Sequence, residues 1–255
     1  MLHNAASGAK LSMSDASRND PEKPGHDPGA ILAQLCRLCS AEPEGLGLAR
    51  EIRADRESQS LAALFDAKGA VWTETSPPQD DELTGGEHFV HLDEPHARVF
   101  KSTKPGKFGF GVGREMVRAR DRRAPPRITV GLIDATPAEY LARLAWQNEL
   151  FGDRIRVHGM ALYPTGVTIL STQPFVWGER TDQGRIDGWF KANGWLPLPR
   201  KDGAFYHPLR DLLLMDALPR NVLTRADGRV FPFDVVIVRP GSDLKWSLHL
   251  TPTQP

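Results

Sequence analysis

Alternating apolar and polar residues predict several short strands in the first two thirds of the chain. Two alternating runs flank the turn Asp93-Glu94-Pro95-His96, a pattern typical of a β-hairpin. Two more runs are joined by Pro164-Thr165-Gly166. The predicted strands cover residues 69–73, 87–92, 97–101, 155–163 and 167–172. Lys101 therefore lies near the end of the second hairpin strand.

Helical periodicity dominates three other regions. Apolar residues recur at helical intervals from 31 to 65, with an interruption near 43–47. A helix is predicted over 137–151, with Thr136 as N-cap, Glu139 in the capping-box position and Gly152 as its end. Residues 186–192 also favour a helix.

Two stretches lack such patterns. Residues 1–29 are rich in Ser, Asn, Asp, Pro and Gly, so we expect a disordered tail. Residues 104–128 include Gly109-Phe110-Gly111-Val112-Gly113, but this run lacks the flanking strand and helix of a dinucleotide loop and the Gly-Lys-Ser/Thr of a P-loop. We expect a flexible connection there.

The last informative region carries acidic residues beside apolar runs. Residues 212–215 are apolar and lead into Asp216, and Asp227-Gly228 predicts a hairpin turn before a strand over 230–238. Asp234 falls inside this apolar strand, where an unpaired carboxylate is costly. Taken alone, it could be a hydrogen-bonded strand end or pair with Arg229 or Arg239.

Composition limits the possible partners and the compartment. The 32 basic and 32 acidic residues balance, which argues against nucleic acid or an anionic membrane as a partner. The sequence has neither a secretory signal nor a membrane-span pattern, so a cytoplasmic location is expected. Cys36 and Cys39 form a Cys-x-x-Cys without a second cysteine pair. Two apolar residues on a helix face are the favoured interpretation, with a redox or zinc protein as the alternative.

Asp216, Asn221 and Asp234 together suggest phosphoryl transfer. That reaction needs an acid beside the attacking hydroxyl, and oxygen ligands for the Mg²⁺ that holds the nucleotide phosphates. The order Asp216-x4-Asn221, then thirteen residues to Asp234 through a hairpin, resembles the catalytic loop and metal-binding aspartate of the protein-kinase fold. The resemblance implies that Asp216 is the catalytic base or the acid that positions the hydroxyl, that Asn221 is a metal ligand and that Asp234 is the principal metal ligand.

The N-terminal half extends this resemblance. Arg98-Val99-Phe100-Lys101 resembles the kinase strand whose lysine binds the ATP phosphates, with Val99 against the adenine. Glu139, or else Glu149, would pair with Lys101. Residues 171–176, which include Gln173 and Phe175, fall at the place of the hinge that binds adenine.

Several phrases are similar to the kinase-like domain of polyvalent proteins from phages and mobile elements, over roughly residues 60 to 240. They are Phe100-Lys101-Ser102-Thr103, 139–144, 148–153, Gln173-Pro174-Phe175 and 216–221. The resemblance implies an α+β fold of two lobes, with a small antiparallel β N-lobe and a reduced, mainly helical C-lobe. After the tail and a helical extension at 30–66, the kinase-like domain would cover 67–255, with the N-lobe at 67–172, the hinge at 173–178 and the C-lobe at 179–255.

The pattern departs from ordinary protein kinases in three ways. No Gly-x-Gly-x-x-Gly lies between the first strands, where only Gly85-Gly86 occurs. Leu214-Met215 and Val235-Val236 replace the usual neighbours of the two aspartates, and 21 residues follow Asp234. We therefore expect an ATP- and Mg²⁺-dependent phosphotransferase acting on a protein or small-molecule hydroxyl, and keep as the alternative a catalytically inactive pseudokinase that binds nucleotide or protein.

Overall fold

The computed structural model describes residues 25–40, 50–74, 85–117, 127–199 and 201–250. Most of the predicted tail and the interruption near 43–47 lie outside these ranges. The described residues form a mixed α+β structure of five α-helices and fourteen strands. None of these helices is long and apolar enough to cross a membrane.

The helices and strands are numbered here in chain order. The helices are α1 (Pro28–Ser40), α2 (Arg50–Asp66), α3 (Pro137–Phe151), α4 (Gln183–Ala192) and α5 (Ser242–Ser247). The strands are β1 (Val71–Thr73), β2 (His88–Asp93), β3 (Arg98–Thr103), β4 (Phe110–Val117), β5 (Arg127–Asp134), β6 (Arg156–Tyr163), β7 (Gly166–Pro174), β8 (Glu179–Arg180), β9 (Leu196–Pro197), β10 (Phe205–His207), β11 (Leu212–Met215), β12 (Val222–Thr224), β13 (Val230–Pro232) and β14 (Val236–Val238).

The largest sheet has five strands in the order β1-β6-β7-β3-β2. The predicted hairpin is confirmed as β2 and β3, joined by a 3₁₀ turn at Glu94–His96, and the predicted pair β6 and β7 is also confirmed. The pairings are antiparallel except for β1, which runs parallel to β6. Alternation along these strands leaves one face for the helices to cover.

Helix α3 packs on that face and begins as its sequence predicts. The Thr136 hydroxyl accepts a hydrogen bond from the Glu139 N–H, the Glu139 carboxylate accepts one from the Thr136 N–H, and Gly152 ends the helix with φ of 71°. Helices α1 and α2 join α3 and the sheet in one apolar core, which includes Ile31, Phe65 and other buried side chains.

The expectation of a mainly helical C-terminal part is wrong. Residues 179–250 contain seven short strands and only α4 and α5, of 10 and 6 residues. The strands form a four-stranded sheet, β14-β11-β10-β9, and a three-stranded sheet, β13-β12-β8. Short apolar runs such as 212–215 cover too few residues for a helix, and they become buried by pairing side by side.

The expected flexible connection at 104–128 is also wrong in its described part. Residues 110–117 form β4, which pairs with β5 in a two-stranded ribbon. Phe110, Val112 and Met116 alternate with polar or small residues, and Gly113 lies opposite Gly131. Because glycines are uncommon in strands, the strand pattern of this segment was not recognised in the sequence. The ribbon packs Val112 and Val130 against β11 and β14.

The predicted strand over 230–238 is interrupted. Residues 230–232 pair with β12 in one sheet, whereas residues 236–238 pair with β11 in another. Phe233, Asp234 and Val235 lie between the two strands, so Asp234 is at a crossing between sheets and not inside a strand.

Candidate functional site

A cleft of about 550 Å³ lies between the large sheet and the loops that connect the two smaller sheets. Its walls contain seven of the eight residues that the sequence marks as a site. These are Val99, Lys101, Gln173, Phe175, Asp216, Asn221 and Asp234. Residues more than 130 positions apart in the chain thus meet at one cavity.

Strand register builds the first wall. In the sheet, Lys101 lies opposite Val90 on one side and Ser171 on the other, while Val99 lies between Leu92 and Gln173. Directly paired residues share a face of a sheet, so these side chains point the same way. Val90, Leu92 and Val99 make this wall apolar, and Lys101 adds a single cation.

Strand ends build the opposite wall. Strand β11 ends at Met215, which pairs with Val236, the first residue of β14. Asp216 follows β11 and Asp234 lies just before β14, so both aspartates lie at the same end of this sheet. Strands β12 and β13 bring Asn221 to the same place, because the Phe233 N–H donates to the Asn221 carbonyl at 3.0 Å. Two sheets therefore converge on three polar side chains.

Asp216 adopts an uncommon backbone conformation, with φ of 64° in the left-handed region. Its carboxylate accepts hydrogen bonds from Arg220 and from the Asn221 amide nitrogen, the latter at 2.7 Å. The same amide nitrogen also donates to the Asp216 carbonyl at 2.8 Å. Burial raises the pKa of Asp216, an effect that Arg220 and Asn221 oppose.

Two cationic side chains lie beside the carboxylate of Asp234. Its Oδ1 is 2.8 Å from the Arg143 guanidinium and 3.8 Å from the Lys101 ammonium. Burial alone would raise the pKa of Asp234, but Lys101 and Arg143 outweigh it and lower that pKa to about 2. Asp234 is therefore ionised at neutral pH, with 30% of its side chain exposed to the cleft.

Arg143 is a central residue that the sequence interpretation missed. It lies on α3 with a side chain only 1% exposed, and its guanidinium joins Asp234, Glu87 and the Val235 carbonyl. The spacing of Tyr140, Arg143, Leu144 and Gln147 is i, i+3, i+4, i+7, which places the arginine on the buried face. That spacing was the available signal, and it was outweighed by the expectation that arginine is exposed.

Glu87 completes this ion-pair group at the cleft wall. Its carboxylate binds Arg143 and accepts the Phe110 N–H at 3.0 Å. Burial, together with the nearby charge of Asp234, raises the pKa of Glu87, and Arg143 opposes that shift. No sequence pattern singled out this residue.

The expected ion pair between Glu139 and Lys101 is wrong. Glu139 binds Arg50 and Arg53 of α2, the second at 2.6 Å, and it does not line the cleft. The second candidate, Glu149, pairs with Arg210 at 3.3 Å. The capping role of Glu139 holds its carboxylate at the first turn of α3, where Arg50 and Arg53 of α2 contact it.

Comparison with protein-family models, with curated proteins and with solved structures finds no match.

The donor set fits Mg²⁺ that is shared with phosphate. The described residues contain no group of three or more His, Cys, Asp or Glu side chains that could hold a metal ion alone. Mg²⁺ commonly uses one or two carboxylates together with substrate phosphates and water. Asp234, which is ionised, and Asn221, which carries an amide oxygen, both line the cleft and could supply ligands of that kind.

The glycines at the cleft have different roles. Gly85 and Gly86 line its mouth, and a Cβ on either would meet nothing within 4 Å. Gly109, with φ of 69°, faces Glu87 so closely that a Cβ there would overlap the carboxylate. A side chain at residue 109 would therefore displace the Glu87 carboxylate, whereas close packing explains neither Gly85 nor Gly86.

The cysteines are not among the residues that line the cleft. Cys36 and Cys39 are free thiols on α1. Partial burial raises the pKa of Cys36, with a further contribution from Cys39, and this disfavours the reactive thiolate form.

Proposed function

We propose that this chain is an ATP- and Mg²⁺-dependent phosphotransferase of protein-kinase-like type, with two lobes around the cleft. The observation that carries the proposal is the convergence of Lys101, Asp216, Asn221 and Asp234 on one cavity. The similarity to the kinase-like domain of polyvalent proteins is part of the proposal. So are a cytoplasmic location and a protein or small-molecule hydroxyl as acceptor.

The polarity of the cleft supports a nucleotide as the ligand. One part of the wall is apolar, with Val90, Leu92, Val99, Phe175 and Leu223, and suits the flat face of adenine. Gln173 lies near the end of β7 and Phe175 just after it, and both line the cleft. A base bound there would direct its phosphates toward the charged residues at the other part.

The charged part supports phosphoryl transfer. Lys101 is a cation for the phosphates, and Mg²⁺ held by Asp234 and Asn221 would neutralise charge that develops on the transferred group. Asp216 would orient the acceptor hydroxyl and take its proton. The raised pKa of Asp216 favours proton acceptance by this carboxylate.

A second candidate function is a nucleotide-binding module without catalysis. The Asp216 carboxylate is held by Arg220 and Asn221, and Lys101 pairs with Asp234 where kinases use a helix glutamate. These contacts occupy the groups that catalysis would need. Nucleotide binding without transfer is the expected behaviour under this alternative.

Release of ADP and self-labelling from γ-labelled Mg·ATP distinguish the two candidates. For an enzyme, Asp216→Asn should lower the rate about 100-fold or more, since a positioned general base contributes that much. Asp227→Asn is the matched control, because Asp227 is exposed in the β12–β13 turn and outside the cleft. Binding of Mg·ATP without any transfer would support the module, and absence of both would contradict the proposal.

A further inference from the structure

Arg220 is a cation of the cleft to which the proposed function gives no task. It lines the cleft, and 58% of its side chain is exposed. Among the described residues that line the cleft, the other lysine or arginine is Lys101. The Lys101 side chain is only 13% exposed and lies 3.8 Å from Asp234. Arg220 is therefore the more accessible cation for the charges of a triphosphate.

The loop that carries Arg220 has a fixed backbone. The Leu218 N–H donates to the Asp216 carbonyl at 2.9 Å, and the Asn221 N–H donates to the Leu218 carbonyl at 2.8 Å. Pro219, directly before the arginine, has a restricted φ. In the described structure the guanidinium has one ion-pair partner, Asp216. The side chain of Arg220 can thus change partner while its Cα stays in place.

The two carboxylate oxygens of Asp216 have different partners. Oδ1 accepts a hydrogen bond from Arg220, and Oδ2 accepts one from the Asn221 amide nitrogen at 2.7 Å. Asn221 is buried and also donates to the Asp216 carbonyl at 2.8 Å, so it would keep the carboxylate in place without Arg220. Departure of Arg220 would leave Oδ1 free to accept a hydrogen bond from an acceptor hydroxyl.

A phosphate group can compete for this guanidinium. An ion pair with so exposed a partner is weak in water, because solvent screens it. Arginine binds phosphate through two parallel hydrogen bonds, and such charge-assisted bonds are among the strongest in proteins. Exchange of the Asp216 carboxylate for a phosphate is therefore favourable.

We propose that Arg220 binds the terminal phosphate of the nucleotide, and that it covers Oδ1 of Asp216 until that phosphate arrives. This inference rests on the proposed function and deepens it. It makes the contact between Arg220 and Asp216 compatible with catalysis, because nucleotide binding removes that contact. It also supplies a phosphate ligand to a chain without a Gly-x-Gly-x-x-Gly between its first strands.

The test compares Mg·ATP with Mg·ADP by calorimetry, since only ATP carries the terminal phosphate. Arg220→Gln should weaken Mg·ATP about ten-fold or more and Mg·ADP less than about two-fold, because one charged hydrogen-bonding group at that phosphate is lost. Arg229→Gln is the matched control, because Arg229 is exposed in the β12–β13 turn and does not line the cleft. It should change neither affinity, and both variants should keep the wild-type unfolding midpoint in urea.

Asp216→Asn tests the exchange of partners. This variant weakens the hold on Arg220, so it should bind Mg·ATP at least as tightly as wild type. Weaker binding of Mg·ATP by Asp216→Asn would show that Asp216 positions the arginine, and would overturn the inference. So would Arg220→Gln losses that are equal for the two nucleotides, or no loss for either, and in these cases the proposed function still stands. Failure of wild type to bind Mg·ATP would overturn both.

Discussion

Replacing Arg143 by methionine should destabilise the chain by about 3 to 5 kcal/mol, because it removes one partner of a buried ion-pair group. The side chain is 1% exposed and satisfies three acceptors, on Glu87, Asp234 and Val235. Each buried group left unpaired costs about 1 to 3 kcal/mol. We expect the lower part of the summed range, since Asp234 is 30% exposed and can regain water.

Urea unfolding of wild type and Arg143→Met at pH 7 measures this loss, provided that both proteins show the same denaturant slope. Arg210→Met is the matched control, because the Arg210–Glu149 pair is half exposed on both sides and is worth less than about 1 kcal/mol. A loss below 1 kcal/mol for Arg143→Met would refute the claim that this arginine holds the two carboxylates.

Three further predictions concern the same region. Asp153 has a pKa of about 8 against an ordinary 3.8, so wild-type stability should fall by up to about 5 kcal/mol as pH rises from 4 to 8; Asp153→Asn should lack this fall in urea unfolding series. Burial lowers the pKa of His88 to about 3, so His88 stays neutral in the folded protein while the unfolded chain binds a proton below pH 6.5. The free energy of unfolding should therefore fall between pH 6.5 and pH 3, and His88→Gln should remove this dependence. An unchanged slope in either variant would contradict its assignment. Gly109→Ala should lower the free energy of unfolding by more than the roughly 1 kcal/mol expected for Gly69→Ala. Both glycines have positive φ, but only Gly109 faces Glu87. Equal losses in the two variants would refute this prediction.

Local patterns predicted the elements that depend on neighbouring residues. The capping residues Thr136 and Gly152 mark α3 because helix ends need partners that lie within one turn. The alternation around residues 93–96 predicted the β2–β3 hairpin, and with it the position of Lys101. The candidate cleft residues could be marked because their types and order are specific.

Long-range pairing limited the rest of the prediction. Strands β11 and β14 are short, and their paired residues are more than twenty positions apart in the sequence. Neither apolar run therefore indicates a sheet by itself. The strand expected over 230–238 divides between two sheets, and that division depends on partners elsewhere in the chain. The residues of this segment alone do not predict which strands it pairs with.

Buried charge was the second limit. Arg143 and Asp153 each look like ordinary surface residues in the sequence, because charged side chains are rarely fully buried. The helical spacing around Arg143 contained a signal, but a signal for Asp153 is absent, since it follows the helix end at Gly152. The role of Arg143 becomes visible only when the structure places it beside Asp234 and Glu87.

Calorimetric titration of Mg·ATP into wild type and Asp234→Asn tests the central claim most directly. The account predicts binding by wild type that requires Mg²⁺, and an affinity at least ten-fold weaker in Asp234→Asn that no longer responds to Mg²⁺. Absence of binding by wild type, or equal Mg²⁺-dependent affinity in both proteins, would contradict the assignment of this cleft as a nucleotide and metal site.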